Sequence, residues 1–273
     1  MLNKISLAGD LGSGKSTVAA ILTEALGAEY YSTGRIVRGI AERLNMSIAE
    51  LNSYMETHPE IDTEIDDGLR ALSDDERALI IDSRMAWHFV KGTFRVYMTV
   101  DLETAALRIM YANRKGEHCS TLSDTVDETR QRRASERKRY LEQYGTDIMD
   151  LMIYDFVVDT TSASPEEVAE AIISAYRAWQ RDSAFRLAAI NPDRLSYPDD
   201  EPDGELLLEY SDALEEGKEL PVIDVFEENG EFCVLTSPEA ALAHALAMHT
   251  FVPVRLVRAS SMGRSYVKMK NSL

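Results

Sequence analysis

Positive charge is what this chain of 273 residues lacks most: 29 lysines and arginines stand against 47 aspartates and glutamates, for a formal net charge of -18. A broad nucleic-acid-binding surface displaces counterions with a basic footprint, so the balance argues against an extended one. A small anionic ligand needs only a local cluster of cations and stays open. Cysteine is nearly absent too. Cys119 and Cys233 are too few and too far apart for a disulfide framework or a zinc cluster, and both are expected as unpaired thiols. No apolar run approaches the roughly 18 to 20 residues a bilayer requires, so no membrane span is expected. Nothing resembling a signal segment precedes the first strand-like run, which gives a cytoplasmic location as the expectation. Apolar residues at 45% suffice for an ordinary core.

What is present is concentrated near the start. Gly9-Asp10-Leu11-Gly12-Ser13-Gly14-Lys15-Ser16 is a complete G-x-x-x-x-G-K-S phosphate-binding loop, followed by Thr17. Gly9, Gly12 and Gly14 let backbone N–H groups approach phosphate oxygens, with Ser13 and Thr17 alongside. Lys15 reaches the β- and γ-phosphates of a nucleoside triphosphate, and the Ser16 hydroxyl is the candidate Mg²⁺ ligand. The context fits. Ile5 to Ala8 reads as a short buried strand, and Val18, Ile21, Leu22, Ala25 and Leu26 recur at helical spacing until Gly27. A helix N-terminus thus points at the phosphates.

Strands and helices alternate up to about residue 182. Strands are expected at 28–32, at 78–82 ending in Asp82, at 94–100 and at 155–159; together with the first they predict an α/β fold with a five-stranded parallel sheet. Asp82 then faces the crevice at the strands' C-terminal ends. Asp101 caps the helix after the fourth strand, Thr125-Val126-Asp127-Glu128 is expected to open a long basic helix ending near Gly145, and Ser164-Pro165-Glu166-Glu167 opens the last one. The scarce cations gather at Arg35 and Arg38, at Arg114-Lys115, and along the basic helix. There Arg130, Arg133 and Arg137 fall at i, i+3 and i+7 and are expected to converge on one anion. Asp62 and Asp66 share a helix face, while Trp87 and His88 read as packing residues.

The order of these motifs resembles the nucleoside monophosphate kinases, and among them the cytidylate kinase-like branch, over about residues 1 to 180. The carrying residues are Gly9 to Thr17, Ser32-Thr33-Gly34 with Arg38, Pro59 to Asp66, Ile81-Asp82-Ser83-Arg84, Arg137 to Tyr140, Tyr144 to Asp147, Ile153-Tyr154-Asp155 and Asp159-Thr160-Thr161. The resemblance implies a P-loop NTPase fold, ATP and Mg²⁺ as cofactors, and a nucleoside monophosphate as acceptor, CMP or dCMP before others. It implies that Thr33, Arg38 and Arg130 face the acceptor and that Asp82 and Arg84 lie between the two nucleotides. Arg114, Arg133 and Arg137 would close over the phosphates as a lid. Two positions depart from the pattern: Arg35 stands where an acidic or neutral residue is usual, and Ala134 where an acidic one is. Two other readings stay open, a kinase of another small-molecule alcohol and a nucleotide-gated binding or regulatory protein.

Residues 186–273 extend beyond this pattern, and a P-loop domain over 1–185 with a small acidic α+β unit of unknown role over 186–273 is expected. From Asp199 to Glu231 the only basic residue is Lys218, and Asn191 to Asp203 reads as a linker. A helix over 205–216, a hairpin turning at Asn229-Gly230, a helix opening at Ser237-Pro238 and a strand over 252–257 follow. Homo-oligomerisation or a protein partner is the role expected for this unit, with phosphoryl transfer independent of it.

Overall fold

The computed structural model describes residues 3–55, 57–112, 121–261 and 265–268. The first strand, β1 (Lys4–Gly9), leads through the glycine-rich loop into α1 (Lys15–Leu26), followed by β2 (Glu29–Ser32), α2 (Thr33–Leu44), α3 (Ile48–Met55) and α4 (Pro59–Ala71). Next come β3 (Leu79–Asp82), the one-turn α5 (Ala86–Phe89), β4 (Phe94–Thr99), α6 (Leu102–Tyr111), α7 (Leu122–Tyr144), β5 (Phe156–Asp159) and α8 (Pro165–Arg181). The remainder forms β6 (Leu187–Ile190), β7 (Leu195–Pro198), α9 (Gly204–Glu215), β8 (Ile223–Glu228), β9 (Glu231–Val234), α10 (Pro238–Leu246), β10 (Val252–Leu256) and β11 (Tyr266–Lys268).

The five expected strands lie parallel in the order β2, β3, β1, β4, β5. The sheet does not end there, which corrects the five-stranded expectation. Strand β6 pairs in parallel with β5, β10 pairs antiparallel with β6, and β8, β9, β7 and β11 continue one mixed sheet of eleven strands. An apolar β5 left as an edge would expose unpaired backbone, and Leu187-Ala188-Ala189-Ile190 satisfies it. Packing joins the two halves as well. Tyr97 and Tyr154 of the first half share one buried cluster with Ile190, Val225, Phe232 and Val252 of the second.

Two further expectations change. The stretch from Asn191 is not a linker throughout, because Leu195–Pro198 forms β7; its proline closes the strand, opposite Tyr266 of β11. The long helix is capped by Thr121, whose hydroxyl accepts from Asp124 N, a turn ahead of Thr125, which is buried inside the helix. The hairpin turns at Asn229 and Gly230, both at positive φ (56° and 87°), as an Asn-Gly turn requires.

Candidate functional site

The loop after β1 is shaped by its glycines. A Cβ on Gly9 (φ +145°) would fall 2.3 Å from Met98 O, so the strand end fits against β4 only without a side chain. Gly14 (φ +81°) faces open space on its Cβ side and opens α1 with no side-chain cap. The first N–H groups of α1 therefore point outward without a side-chain partner, which is the arrangement an anion takes up. Lys15 folds its ammonium back over the loop, donating to Gly9 O at 2.9 Å and Asp10 O at 2.6 Å. Burial and then the neighbouring Arg84 lower its pKa to about 8, against the opposing pull of Asp82 and Asp10.

Two more cations reach the same loop from different elements. Arg84, just after β3, donates through Nη1 to Gly9 O and is paired through Nε with Glu136 of α7 at 2.5 Å. Burial alone would raise the Glu136 carboxyl, but Arg84 and Arg132 hold it below its ordinary value. Arg133, three residues earlier on α7, lies 3.4 Å from Asp10 Oδ2 and reaches Val100 O at 3.4 Å, and its buried Nε has no hydrogen-bond partner among the described residues. Asp10 fixes this corner. Its buried carboxylate also accepts from Tyr97 Oη at 2.9 Å, Thr99 Oγ1 at 3.1 Å and Val100 N at 3.1 Å. Loop, β4 and α7 are thereby tied at one point.

The structure separates the three arginines expected to converge. Arg133 turns into the loop, whereas Arg137 is exposed and forms a two-pronged pair with Asp147, and Arg130 pairs with Asp127 at 2.6 Å in solvent. Their spacing does place them near one helix stripe. Partners in the α7 to β5 connection and on the helix itself decide where each points. Arg114 lies outside the described residues, as do Lys115 and Cys119.

On the β2–β3 side, Asp82 accepts from Tyr30 Oη at 2.8 Å through Oδ2, and Thr33 Oγ1 donates weakly to its backbone carbonyl at 3.4 Å. Arg35 stacks its guanidinium 5.3 Å from the Tyr30 ring centroid. Arg38 is exposed one turn beyond Gly34, with no carboxylate partner among the described residues. Asp62 and Asp66 of α4 are both buried and both face α7. Asp62 lies 3.6 Å from Arg139, and Asp66 accepts from Tyr144 Oη at 2.9 Å. Burial pushes both carboxyls up while these partners oppose it. His88 packs edge-on against Trp87 and Phe89, with the Tyr144 ring 6.1 Å away, centroid to centroid.

On the opposite side of the loop a cavity of about 320 Å³ is lined by Gly12, Ser13, Thr17, Arg108, Thr160 and Val168. Arg108 of α6 spans its floor, donating to Thr160 O at 2.6 Å and Thr161 O at 3.2 Å. Ser16, at the first turn of α1, is exposed, and its hydroxyl has no partner among the described residues. With Asp82 Oδ1 it offers the hard oxygen donors that Mg²⁺ accepts, directly or through water.

The model of the cytidylate kinase-like family matches residues 4–162, more than half of the chain. Cytidylate kinase of Thermoplasma volcanium is 36% identical over 186 residues, covering 67% of this chain and 95% of the relative. This chain belongs to the cytidylate kinase-like family. Cytidylate kinase of Sulfurisphaera tokodaii is 35% identical over 174 residues, or 63% of this chain and 93% of that protein. An S-adenosylmethionine-dependent nucleotide dehydratase of Lacinutrix mariniflava is 37% identical over 192 residues, 70% of this chain but 39% of that protein.

As a P-loop kinase of this family, the chain carries every site residue expected from its sequence inside the matched segment, and the strands from β6 onward lie outside it. The sequence alone gives no role to Asp10, Arg108, Glu136 or Thr160, although Asp10 and Thr160 lie in motifs that carry the resemblance. Asp10 sits at a variable position of the loop motif, and Glu136 reads as one more surface acid among basic neighbours. The spacing of Arg108 from Asp101, two turns into a capped helix that starts at a strand's C-terminal end, is the signal that points to the cavity floor.

Proposed function

We propose that this protein transfers the γ-phosphoryl group of ATP to a nucleoside monophosphate, with CMP or dCMP preferred. The observation that carries the reading is the meeting of Lys15, Arg84 and Arg133 at the phosphate loop, between two separate recognition regions. The cavity beside Arg108 suits adenosine, since a guanidinium plane and the aliphatic wall of Val168 accept a flat base. The region between α4 and α7 suits the acceptor. Cytosine presents an exocyclic N4–H₂ donor beside ring acceptors, and a buried carboxylate next to an arginine, as in Asp62 and Arg139, matches both. The names of the relatives, cytidylate kinase and nucleotide dehydratase, both carry a nucleotide and support the same class.

In the reaction, an acceptor phosphate oxygen attacks the γ-phosphorus and the bond to the β–γ bridging oxygen breaks, leaving ADP. The acceptor phosphate is largely ionised at neutral pH, with a second pKa of about 6, so no general base is required. The protein's contribution is position and charge. Lys15 and the outward N–H groups of α1 hold the donor phosphates, while Arg84 and Arg133 offer guanidinium forks to the transferred group and the acceptor phosphate. Ser16 and Asp82 would hold Mg²⁺, which when bound neutralises phosphate charge. Glu136 keeps Arg84 oriented from the helix side.

A steady-state screen of ATP consumption against CMP, dCMP, UMP, AMP, GMP and a set of small alcohols tests this. Preference for CMP or dCMP is the expected result. Preference for AMP or GMP would remove the cytidylate assignment, and turnover with an alcohol but no monophosphate would remove the nucleotide class.

A further inference from the structure

We propose that Arg194, in the strands beyond the family segment, is a positioning residue for the ATP cavity, so that the C-terminal half completes the nucleotide site. This rests on the reading of the Arg108 cavity as the ATP site. Arg194 occupies the turn between β6 and β7, which Asn191 shapes by accepting from Asp193 N at 2.9 Å. Its side chain is 12% exposed. The C-terminal half holds the guanidinium from behind, through Gly230 O at 3.3 Å and the Phe232 ring, whose centroid is 5.4 Å away. What remains of the fork faces the kinase half. Its Nη1 donates to Thr161 Oγ1 at 3.0 Å and lies 3.6 Å from Asp159 Oδ1, on a fully buried side chain.

Thr161 is a junction. Its hydroxyl accepts from Arg194 and from Asp101 N at 3.1 Å, and donates to Asp159 Oδ1 at 2.6 Å, which uses its one proton and both acceptor sites. Asp101 is the cap of α6, the helix that carries Arg108. The carbonyls of Thr160 and Thr161 are in turn what Arg108 binds, and Arg108 also reaches Thr160 Oγ1 at 3.2 Å and Gly12 O at 3.5 Å. A continuous set of polar contacts thus runs from the β8–β9 turn through Arg194, Thr161 and Arg108 to the phosphate loop. Burial pushes the Asp159 carboxyl up, and Arg194 is foremost among the groups that oppose this. Without Arg194, the buried carboxylate loses the cation paired with it and Thr161 loses a donor. The wall that Thr160 contributes to the cavity then has less to fix it.

Among the described residues, none of these groups hydrogen-bonds or pairs with Asp62, Asp66, Arg139 or Tyr144 of the α4–α7 region, so the effect should fall on ATP and spare the acceptor. The test is calorimetric titration of MgATP and, separately, of CMP onto the full chain as wild type, Arg194→Met, Arg194→Lys and, as a control on a surface pair of the same half, Arg255→Ala. Arg194→Met is expected to weaken ATP about tenfold while CMP affinity and turnover at saturating ATP stay within about twofold. Arg194→Lys keeps a charge near Asp159 without the fork and should recover part of the loss. Arg255→Ala should match wild type for both ligands. Wild-type ATP affinity in folded Arg194→Met, or equal weakening of ATP and CMP, would overturn the proposal. Should the methionine variant not fold, Arg194→Lys decides, and an ATP affinity equal to wild type overturns it. A wild-type protein that binds CMP but no ATP would instead defeat the reading of the cavity, an outcome separate from unchanged variants of an ATP-binding wild type.

Discussion

Helices α1 and α8 pack against each other on one face of the sheet, yet they begin in opposite ways. The first turn of α8 is closed by a full capping box: Ser164 Oγ accepts from Glu167 N, and Glu167 Oε2 accepts from Ser164 N at 2.8 Å. Pro165 at the first helical position removes one more unpaired donor. The first turn of α1 has no side-chain cap, starts from a left-handed glycine and carries Lys15 as its first residue. A cap is worth about 1 kcal/mol, which α1 forgoes. Its donors are left without a side-chain cap, open to the phosphates of the proposed nucleotide, so one helix start is closed for the fold and the other is open for binding.

The strongest way to break that contrast is Lys15→Ala. Turnover is expected to fall on the order of 10²- to 10³-fold, because a cation is lost where transition-state charge develops, while the melting temperature stays within about 1 °C because no core position is emptied. Parallel measurement of turnover and thermal unfolding decides it. Retained turnover would take the loop out of the chemistry.

The same division runs along α7. Among the described residues Arg133 is held by long contacts of 3.4 Å and its buried Nε has no partner, whereas Arg137 gives Nε and Nη2 to Asp147 at 2.9 and 2.6 Å. An under-occupied guanidinium inside the site can transfer its donors to a phosphate at little cost, and one in a two-pronged pair with a surface carboxylate must first give up that pair. Arg133→Ala is expected to lower kcat about 10²-fold with a smaller change in ATP KM, and Arg137→Ala to change kcat less than about threefold. Equal losses at the two positions would mean that α7 rotates as substrates bind, bringing Arg137 inward.

The first half of this molecule is legible in its sequence for local reasons. Glycine spacing, strand-end carboxylates and capping residues act over a few positions, so Gly9 to Thr17, Asp82 and Ser164 declare their places through their immediate neighbours. Two things are not legible. Partner choice on α7 depends on residues far along the chain, Asp10 for Arg133 and Asp147 for Arg137, which helical spacing does not encode. The continuation of the sheet depends on which strand covers β5, and the four apolar residues Leu187 to Ile190 carry too short a pattern to announce it. Acidic composition and three prolines, Pro192, Pro198 and Pro202, suggest a boundary where backbone pairing provides continuity.

A weaker perturbation than either substitution tests the chemistry of the α1 start through pH. Lys15 has its pKa lowered to about 8 by burial and Arg84. Below that value the free protein presents a charged ammonium to ATP. Above it, the free protein has shed the proton and binding must recover it from solvent. Apparent ATP affinity is therefore expected to be flat below pH 8 and to fall by about tenfold per pH unit above it. Titrations across this range, repeated in buffers of different ionisation enthalpy, should show proton uptake on binding that grows with pH. A flat profile to about pH 9.5, with no uptake, would place the Lys15 titration outside the binding step.

The smallest effect should come from the capped helix. Ser164→Ala removes the hydroxyl that closes the first turn of α8, which costs about 1 kcal/mol at a typical cap, and for a chain of this size that lowers the melting temperature by about 2–4 °C. The position lies close to the proposed ATP site: Ala163, Pro165 and Val168 all line the cavity beside Arg108. Activity is nevertheless expected to hold. Pro165 fixes its own backbone angle, Val168 is anchored in the core against Ile172 and Phe94, and Glu167 keeps a second partner in Thr250 Oγ1 at 2.7 Å. ATP KM should therefore remain within about twofold of wild type while stability falls, the reverse of the Lys15 outcome. An ATP KM that rose as stability fell would show that the α8 cap also shapes the nucleotide wall, and the contrast between a helix start for folding and a helix start for binding would fail at its structural end.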